Sequence, residues 1–336
     1  MNYYSFLCFG VSLIMSMLIQ VIFIRLSHKR GIFIDHHESD LPQKFHKNPT
    51  PRVGGVGVFI ACWIFCFVGK TGFLLLFCAL PAFLAGLFED IYLNFSPNKR
   101  LLIMFASGIL PAILLNTVVT NFGLFTLNYS SGVFISFIAI IGLINGANMI
   151  DGFNGLLSGT AIIIFGSFAY MCHRFFDGEL FIINVVIVAA IIGFIFFNYP
   201  KGKIFLGDGG AYILGFFMAV MAMLISCRHT QISPFFVLVC IAYPVMEVIF
   251  SFIRKGIIEN SSPFHPDSNH LHMLINRGVV KGKNSQTVFV ILPVVFFFNI
   301  AAICFYNNQT ALILFVLLFV IIYLMCYAFL SKAKEN

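Results

Sequence analysis

Apolar runs recur along this chain at lengths that match a bilayer rather than the core of a globular domain. They lie at 3–24, 53–69, 72–88, 101–119, 132–147, 156–171, 180–197, 210–226, 234–252, 287–305 and 310–330, each bounded by polar residues or by Gly and Pro. A hydrocarbon core about 30 Å thick takes about 20 residues of helix to cross. The runs therefore predict an all-α, polytopic integral membrane protein with about eleven transmembrane helices, and residues 1–336 as a single transmembrane domain. Composition agrees: 60% of residues are hydrophobic and 10% charged, with mean hydropathy +0.97. Soluble domains carry about 25% charge, so a water-soluble fold could not cover its surface here. Disordered, collagenous and disulfide-scaffold classes are excluded on the same figures.

The basic residues orient the spans. With the N-terminus outside and the C-terminus cytoplasmic, the inner loops hold 17 of the 20 Lys and Arg residues, leaving only Lys70, Arg174 and Arg228 outside. Basic residues mark cytoplasmic loops, so the net charge of +7 is explained by topology rather than by nucleic acid. Ten of the 13 acidic residues and seven of the nine histidines fall on the same side, while Glu247 lies within a span near its inner end. A transporter or lipid-linked oligosaccharide flippase, the alternative reading, places polar groups along a path through the midplane. Gathering them at one face points instead to chemistry at a membrane surface, with the lipid bilayer itself as a partner. The nine cysteines form no C-x-x-C motif and sit mostly in apolar runs, where Cys acts as a small hydrophobe. The first run has no charged segment before it and no small-residue cleavage site, so it reads as a span rather than a signal peptide.

Five inner segments carry the candidate chemistry. They are Asp40–Gly55, containing Lys44, His46, Pro49-Thr-Pro-Arg52 and Gly54-Gly55; Gly86–Asp90; Asn145–Leu156; Asn198–Gly210; and Ser262–His272. Asp90, Asp151 and Asp208 each stand where an apolar helix meets the cytoplasm, on three different spans. A carboxylate at such depth is costly unless it binds a cation or pairs with a base. Oxygen donors from carboxylate and Asn amide suit a hard ion such as Mg²⁺, which keeps waters and accepts phosphate oxygens; interfacial salt bridges to Lys or Arg are the plainer reading for any one of the three. The turns Asp151-Gly152…Gly155 and Gly207-Asp208-Gly209-Gly210 let backbone N–H groups approach a phosphate at a helix start. Phe205 could stack on a planar base, and Asn154 and Asn198 could bond a pyrimidine edge. His270-x-His272 supplies two imidazoles but no third ligand at zinc spacing. A diphosphate held by these histidines or by Arg277, Lys44, His46, Arg52, Arg254 and Lys255 competes with a plain role for the basic residues as lipid-headgroup anchors.

Taken together, Pro-Thr-Pro-Arg-x-Gly-Gly at 49–55, Asn-x-x-Asn-x-x-Asp-Gly at 145–152, Phe-x-x-Asp at 205–208 and Arg254-Lys255-Gly256 followed by Ser-Pro-Phe-x-Pro-Asp267 form a recognisable set. The chain resembles the polyprenyl-phosphate N-acetylhexosamine-1-phosphate transferases of glycosyltransferase family 4 over nearly its whole length. The resemblance looks strongest to the branch that makes polyprenyl-diphosphate-linked GlcNAc. It implies transfer of a sugar-1-phosphate from a UDP-N-acetylhexosamine, or a 6-deoxy relative, to undecaprenyl phosphate. UMP is released, Mg²⁺ is required (with Mn²⁺ as an alternative), and the product starts a cell-surface polysaccharide such as O-antigen at the bacterial inner membrane. By match, Asp208 and Asn148 would be metal ligands, Asp90 would contact or deprotonate the lipid phosphate, and Asp151 would support the nucleotide–metal site. Asn154, Asn198 and Phe205 would surround uracil, with Asn145, Glu89, His270, His272 and the nearby basic residues around phosphates and sugar. A homodimer is compatible with this reading; nucleic acid is not expected. Three positions depart from the family pattern: Glu89 and Asn154 stand where Asp is usual, and Met273 where a third His is common.

Overall fold

The computed structural model describes residues 3–35, 49–92, 96–260 and 269–332. Among these, the helices follow the apolar runs. In chain order they are α1 (Tyr3–Arg30), α2 (Gly54–Ala61), α3 (Phe65–Val68), α4 (Lys70–Ile91), α5 (Pro97–Leu114), α6 (Tyr129–Ile150), α7 (Leu156–Arg174), α8 (Gly178–Asn198), α9 (Gly207–Arg228), α10 (Pro234–Cys240), α11 (Ala242–Ile253), α12 (Leu271–Gly278), α13 (Val288–Cys304) and α14 (Gln309–Lys332). Eight of the described helical segments are long and apolar enough to cross a membrane, and the pair α10–α11, bent by 77°, brings the number to nine. The runs at 53–69 and 101–119 differ from the rest. The first is a short helix interrupted by a 3-10 turn at Cys62–Ile64. The second starts at Pro97, where a missing N–H costs nothing in a first helical turn, and ends at Leu114, with the Leu115 and Thr117 N–H groups both donating to Pro111 O. The all-α expectation holds but for a two-residue antiparallel pair, β1 (Ile34–Asp35) with β2 (Thr50–Pro51). All nine cysteines are free.

Helix α9 is the axis of the bundle, buried from Gly209 to Ile225. Glycine makes that centrality feasible. A Cβ on Gly55 would overlap the Gly210 backbone, one on Gly86 would overlap Asp208 and Gly209, and one on Gly215 would overlap Leu143. Close backbone approach through small residues is how helices associate where lipid gives no hydrophobic contrast. On the flank of the bundle, α1 is held by polar groups that find backbone acceptors: Ser12 Oγ donates to Val186 O at 3.0 Å, Ser16 Oγ to Ala190 O at 2.7 Å and Gln20 Nε2 to Gly54 O at 2.9 Å. The outward faces carry exposed Phe, Leu and Ile, as a lipid-facing surface requires.

Because successive helices run in opposite directions, the chain ends of interest sort into two groups. One end of the bundle gathers the C-termini of α4, α6, α8 and α11 with the N-termini of α7, α9 and α12. At the other end Arg228 Nη1 lies 3.2 Å from Glu179 and 3.4 Å from Asp177, and its Nη2 donates to Thr71 Oγ1 at 2.6 Å. That clamp joins the start of α4, the start of α8 and the end of α9. It fixes α9 axially against α4, which matters for what α9 carries at its other end.

Candidate active site

Helix α9 begins at Gly207, in left-handed conformation at φ 76°. Its first amides would be orphaned there. Asp90, from the last turn of α4, supplies the acceptors: Asp208 N–H donates to Oδ1 at 2.9 Å and Gly209 N–H to Oδ2 at 3.0 Å. The Asp90 side chain is 2% exposed. A negative group at a helix N-terminus is also favoured by the helix dipole. Both Asp90 oxygens are thus engaged by backbone, so this residue builds the turn that presents Asp208. Gly207 has no alternative, since a Cβ there would meet the Asp90 carboxylate and Arg52 O.

Asp208 is the more open carboxylate, 19% exposed. Asn148 Nδ2 donates to its Oδ1 at 2.7 Å, and Arg52 Nη2 lies 3.3 Å from its Oδ2 and 3.5 Å from Asp90 Oδ1. Arg52 arrives on a strand-like segment that docks beside α9: Phe205 N–H donates to Pro51 O, Gly54 N–H to Phe205 O and Gly55 N–H to Leu206 O, all between 2.7 and 2.9 Å. Asp151 caps the C-terminus of α6, one turn beyond Asn148. Burial and the Asp208 charge push its carboxyl well above the usual carboxylate range, with Arg52 opposing and Asp90 adding to the rise.

This is an electronegative centre, with Arg52 the cation in direct contact with it among the described residues. The Asp208 carboxylate is an oxygen donor of the kind Mg²⁺ takes one or two at a time, and the Asn148 amide, whose nitrogen bonds Asp208, keeps its oxygen as a further donor. A divalent ion here would offset the Asp208 charge that helps raise the Asp151 carboxyl. The donor set is thus chemically compatible with Mg²⁺, which Asp208 and Asn148 would hold. Among the described residues no group of three or more His, Cys, Asp or Glu side chains is arranged to hold a metal.

Around this centre the remaining candidates divide. Asn154 and Phe205 come together across the loop at Gly202, whose φ is 60° and whose added Cβ would touch both side chains. Asn154 Nδ2 donates to Pro200 O at 3.1 Å, and its N–H to Asn284 Oδ1 at 2.8 Å. Asn198 is buried, accepting from Gly155 N–H at 2.8 Å and donating to Ile204 O at 3.0 Å. It splices the Asp151 loop to the Phe205 loop, and its amide is spent on backbone rather than offered to a base. Asn145 donates to Ile141 O in its own helix at 2.8 Å. Glu89 turns from the centre to Arg100 Nη1, at 2.7 and 3.0 Å, and to the Tyr212 hydroxyl at 2.8 Å. Neither Arg100 nor Tyr212 was marked by a sequence pattern.

Arg254 and Lys255 are buried in a π-helical turn at the end of α11, with Arg254 Nη1 donating to Glu259 at 2.7 Å. His272 packs edge-on to Phe153, and a Cβ on Gly152 would lie 3.2 Å from its Nε2, so the histidine loop reaches the Asp151 loop. Arg277 is exposed in the last turn of α12, about 10 Å along the helix from His270. Lys44 and His46 lie outside the described residues. Sequence reasoning noted Glu247 only as an acid inside a span. In the fold it sits beneath His270 and His272, and an acid within an apolar span, costly unless paired, was the signal for such a pairing.

One family model and three relatives bear on what this arrangement is. Residues 72–226 match the family model described as glycosyl transferase family 4. The undecaprenyl-phosphate alpha-N-acetylglucosaminyl 1-phosphate transferase of Escherichia coli K12 is 30% identical over 269 residues, covering 74% of this chain and 71% of the relative. The enzyme of the same name from Thermotoga maritima is 28% identical over 81% of each chain. A protein of Bacillus subtilis described as a probable undecaprenyl-phosphate N-acetylglucosaminyl 1-phosphate transferase is 27% identical, over 95% of this chain and 90% of its own length.

Proposed function

This chain belongs to glycosyl transferase family 4, and from that membership and the geometry of the α4–α6–α9 end we propose that it transfers GlcNAc-1-phosphate from UDP-GlcNAc to undecaprenyl phosphate. The observation that carries the reading is the convergence of Asp208, Asn148, Asp151 and Arg52 on one turn, itself built by Asp90. In the reaction an oxygen of the lipid phosphate attacks the sugar-linked phosphorus of the donor. A new P–O bond forms, the bond to the bridging diphosphate oxygen breaks, and UMP leaves with that oxygen. Two anions must be brought together, so the main demand is electrostatic.

Bound at Asp208 and Asn148, Mg²⁺ would neutralise donor diphosphate charge. Arg52, within reach of both Asp90 and Asp208, balances charge on the protein side and offers a guanidinium to a phosphate oxygen. Phe205 offers a ring face and Asn154 an amide for the uracil. Because the acceptor phosphate has a second pKa of about 6, it is largely dianionic at neutral pH. A general base is not required, which agrees with Asp90 being occupied by backbone. His270, His272, Arg254 and Lys255 supply the groups for sugar and phosphate. The charge distribution of the loops supports a cytoplasmic site at a bacterial inner membrane, where a water-soluble donor meets a lipid acceptor and the product would begin a surface polysaccharide.

The test is reconstitution. Purified protein in liposomes with undecaprenyl phosphate, Mg²⁺ and a panel of UDP-sugars should release UMP and form undecaprenyl-diphosphate GlcNAc. An Asp208→Ala variant should form none. Product with a different sugar would reassign the donor, and no product with any UDP-sugar would overturn the reading.

A further inference from the structure

Glu247 is an acidic residue buried inside a membrane-spanning segment, 1% exposed on α11. Such a group persists only when paired. Its Oε2 lies 3.2 Å from His270 Nδ1 and its Oε1 3.5 Å from His272 Nδ1. The two imidazoles stack nearly parallel, with centroids 5.5 Å apart and planes 10° from one another, so one carboxylate spans the same edge of both rings. Tyr243 and Tyr323 enclose it, the Tyr243 hydroxyl 3.4 Å from His272 Nδ1. A charged carboxylate is a far stronger acceptor than a phenol oxygen, so the hydroxyl and both ring N–H groups orient toward Glu247.

A ring whose Nδ1–H is claimed by a carboxylate has its other nitrogen fixed in both direction and role. For His272 that other nitrogen faces Gly152, beside Asp151. We propose that Glu247 is a positioning residue that holds His270 and His272 with Nδ1 protonated and thereby presents His272 Nε2 to the Asp151 loop as part of the substrate site. This rests on the transferase reading for the identity of the substrate, though not for the histidine geometry. A purely structural Glu247 would staple α11 to α12 without setting the ring nitrogens.

Gln is nearly isosteric but cannot serve both rings alike. Its carbonyl accepts from one Nδ1–H, while its NH₂ donates to the other Nδ1 and forces that ring into the opposite tautomer. The experiment is nitrogen NMR of protein labelled at histidine, in lipid nanodiscs without substrate, with His270→Asn and His272→Asn used to assign the signals. Both Nδ1 sites should be protonated in the native protein, and Glu247→Gln should convert one ring to the Nε2-protonated form. In the UMP-release assay, Glu247→Gln should lower kcat by about 10²-fold with KM for UDP-GlcNAc changed less than threefold, and Glu247→Asp should restore part of it. An unprotonated Nδ1 in either ring of the native protein overturns the proposal whether or not the variant folds, as does a Glu247→Gln protein with unaltered tautomers. Correct tautomers with no transfer activity in the native protein would instead fault the transferase reading alone.

Discussion

Asp90 accepts the backbone N–H of Asp208 at 2.9 Å while Arg52 bridges their two carboxylates. One acid is thus the foundation for the other. The two therefore predict different failures. Asp208→Asn should leave thermal unfolding in detergent unchanged and reduce UMP release by about 10²–10³-fold, the scale of a lost electrostatic contact to the reacting group. Asp90→Ala should lower both, costing about 1–3 kcal/mol of stability because two helix-start amides lose their acceptors. Equal stability of the two variants would show that Asp90 does not build the turn.

The raised carboxyl of Asp151 has a pH consequence. A folded-state pKa above the unfolded value favours the folded protein at low pH, and this contribution is lost as pH rises through the folded value. In EDTA, Asp151→Asn should therefore melt above the native protein at pH 8. The gap should close as pH falls and the native carboxyl takes up its proton. A gap that widens on acidification would contradict the electrostatic account.

Removal of metal should abolish transfer, and Mg²⁺ should restore it. Asn148→Ala should raise the Mg²⁺ concentration for half-maximal activity by about tenfold, the lower end of what loss of a supporting contact costs a metal site. Full activity in EDTA would remove Mg²⁺ from the mechanism and leave Arg52 as the principal counter-charge.

Asn198 offers a structural test. Replacement by Ala leaves Gly155 N–H and Ile204 C=O without their partner in a buried place, at a cost of about 1–3 kcal/mol. Replacement by Asp keeps the first bond and sets a carboxylate oxygen against the Ile204 carbonyl, so it should be no better than Ala. If uracil were its partner instead, the Ala variant would keep its melting temperature and show only a raised KM for UDP-GlcNAc.

Orientation is checked by cysteine accessibility. Thr230→Cys, at the Arg228 end, should react with an impermeant maleimide in intact cells. Lys283→Cys, beside Asn284 at the site end, should react only after permeabilisation. The reverse result would place the site outside.

The helices were legible because bilayer thickness imposes a length on each apolar run, and the bundle's starts and stops fall close to those runs. The carboxylates Asp90, Asp151 and Asp208 were legible as a group because charge at helix ends in a chain this apolar is costly. Their separate roles were not. Spacing along the chain cannot say that both oxygens of Asp90 face backbone 118 residues away, or that Asn198 is consumed by Gly155 and Ile204. Glu89 illustrates the same limit: its departure from the family's usual Asp was visible, but its partners Arg100 and Tyr212 were set by the packing of α4, α5 and α9.

By itself, then, the sequence determined that this is a helical membrane protein and assigned most of its charged groups to one side, since hydropathy and charge act on each segment independently. It also displayed the residue types from which the site is made. Tertiary structure alone decided which of them face the reaction centre and which hold it together. That division depends on the directions of individual lone pairs and N–H groups, and these are fixed only once glycines let α2, α4, α6 and α9 close to backbone contact.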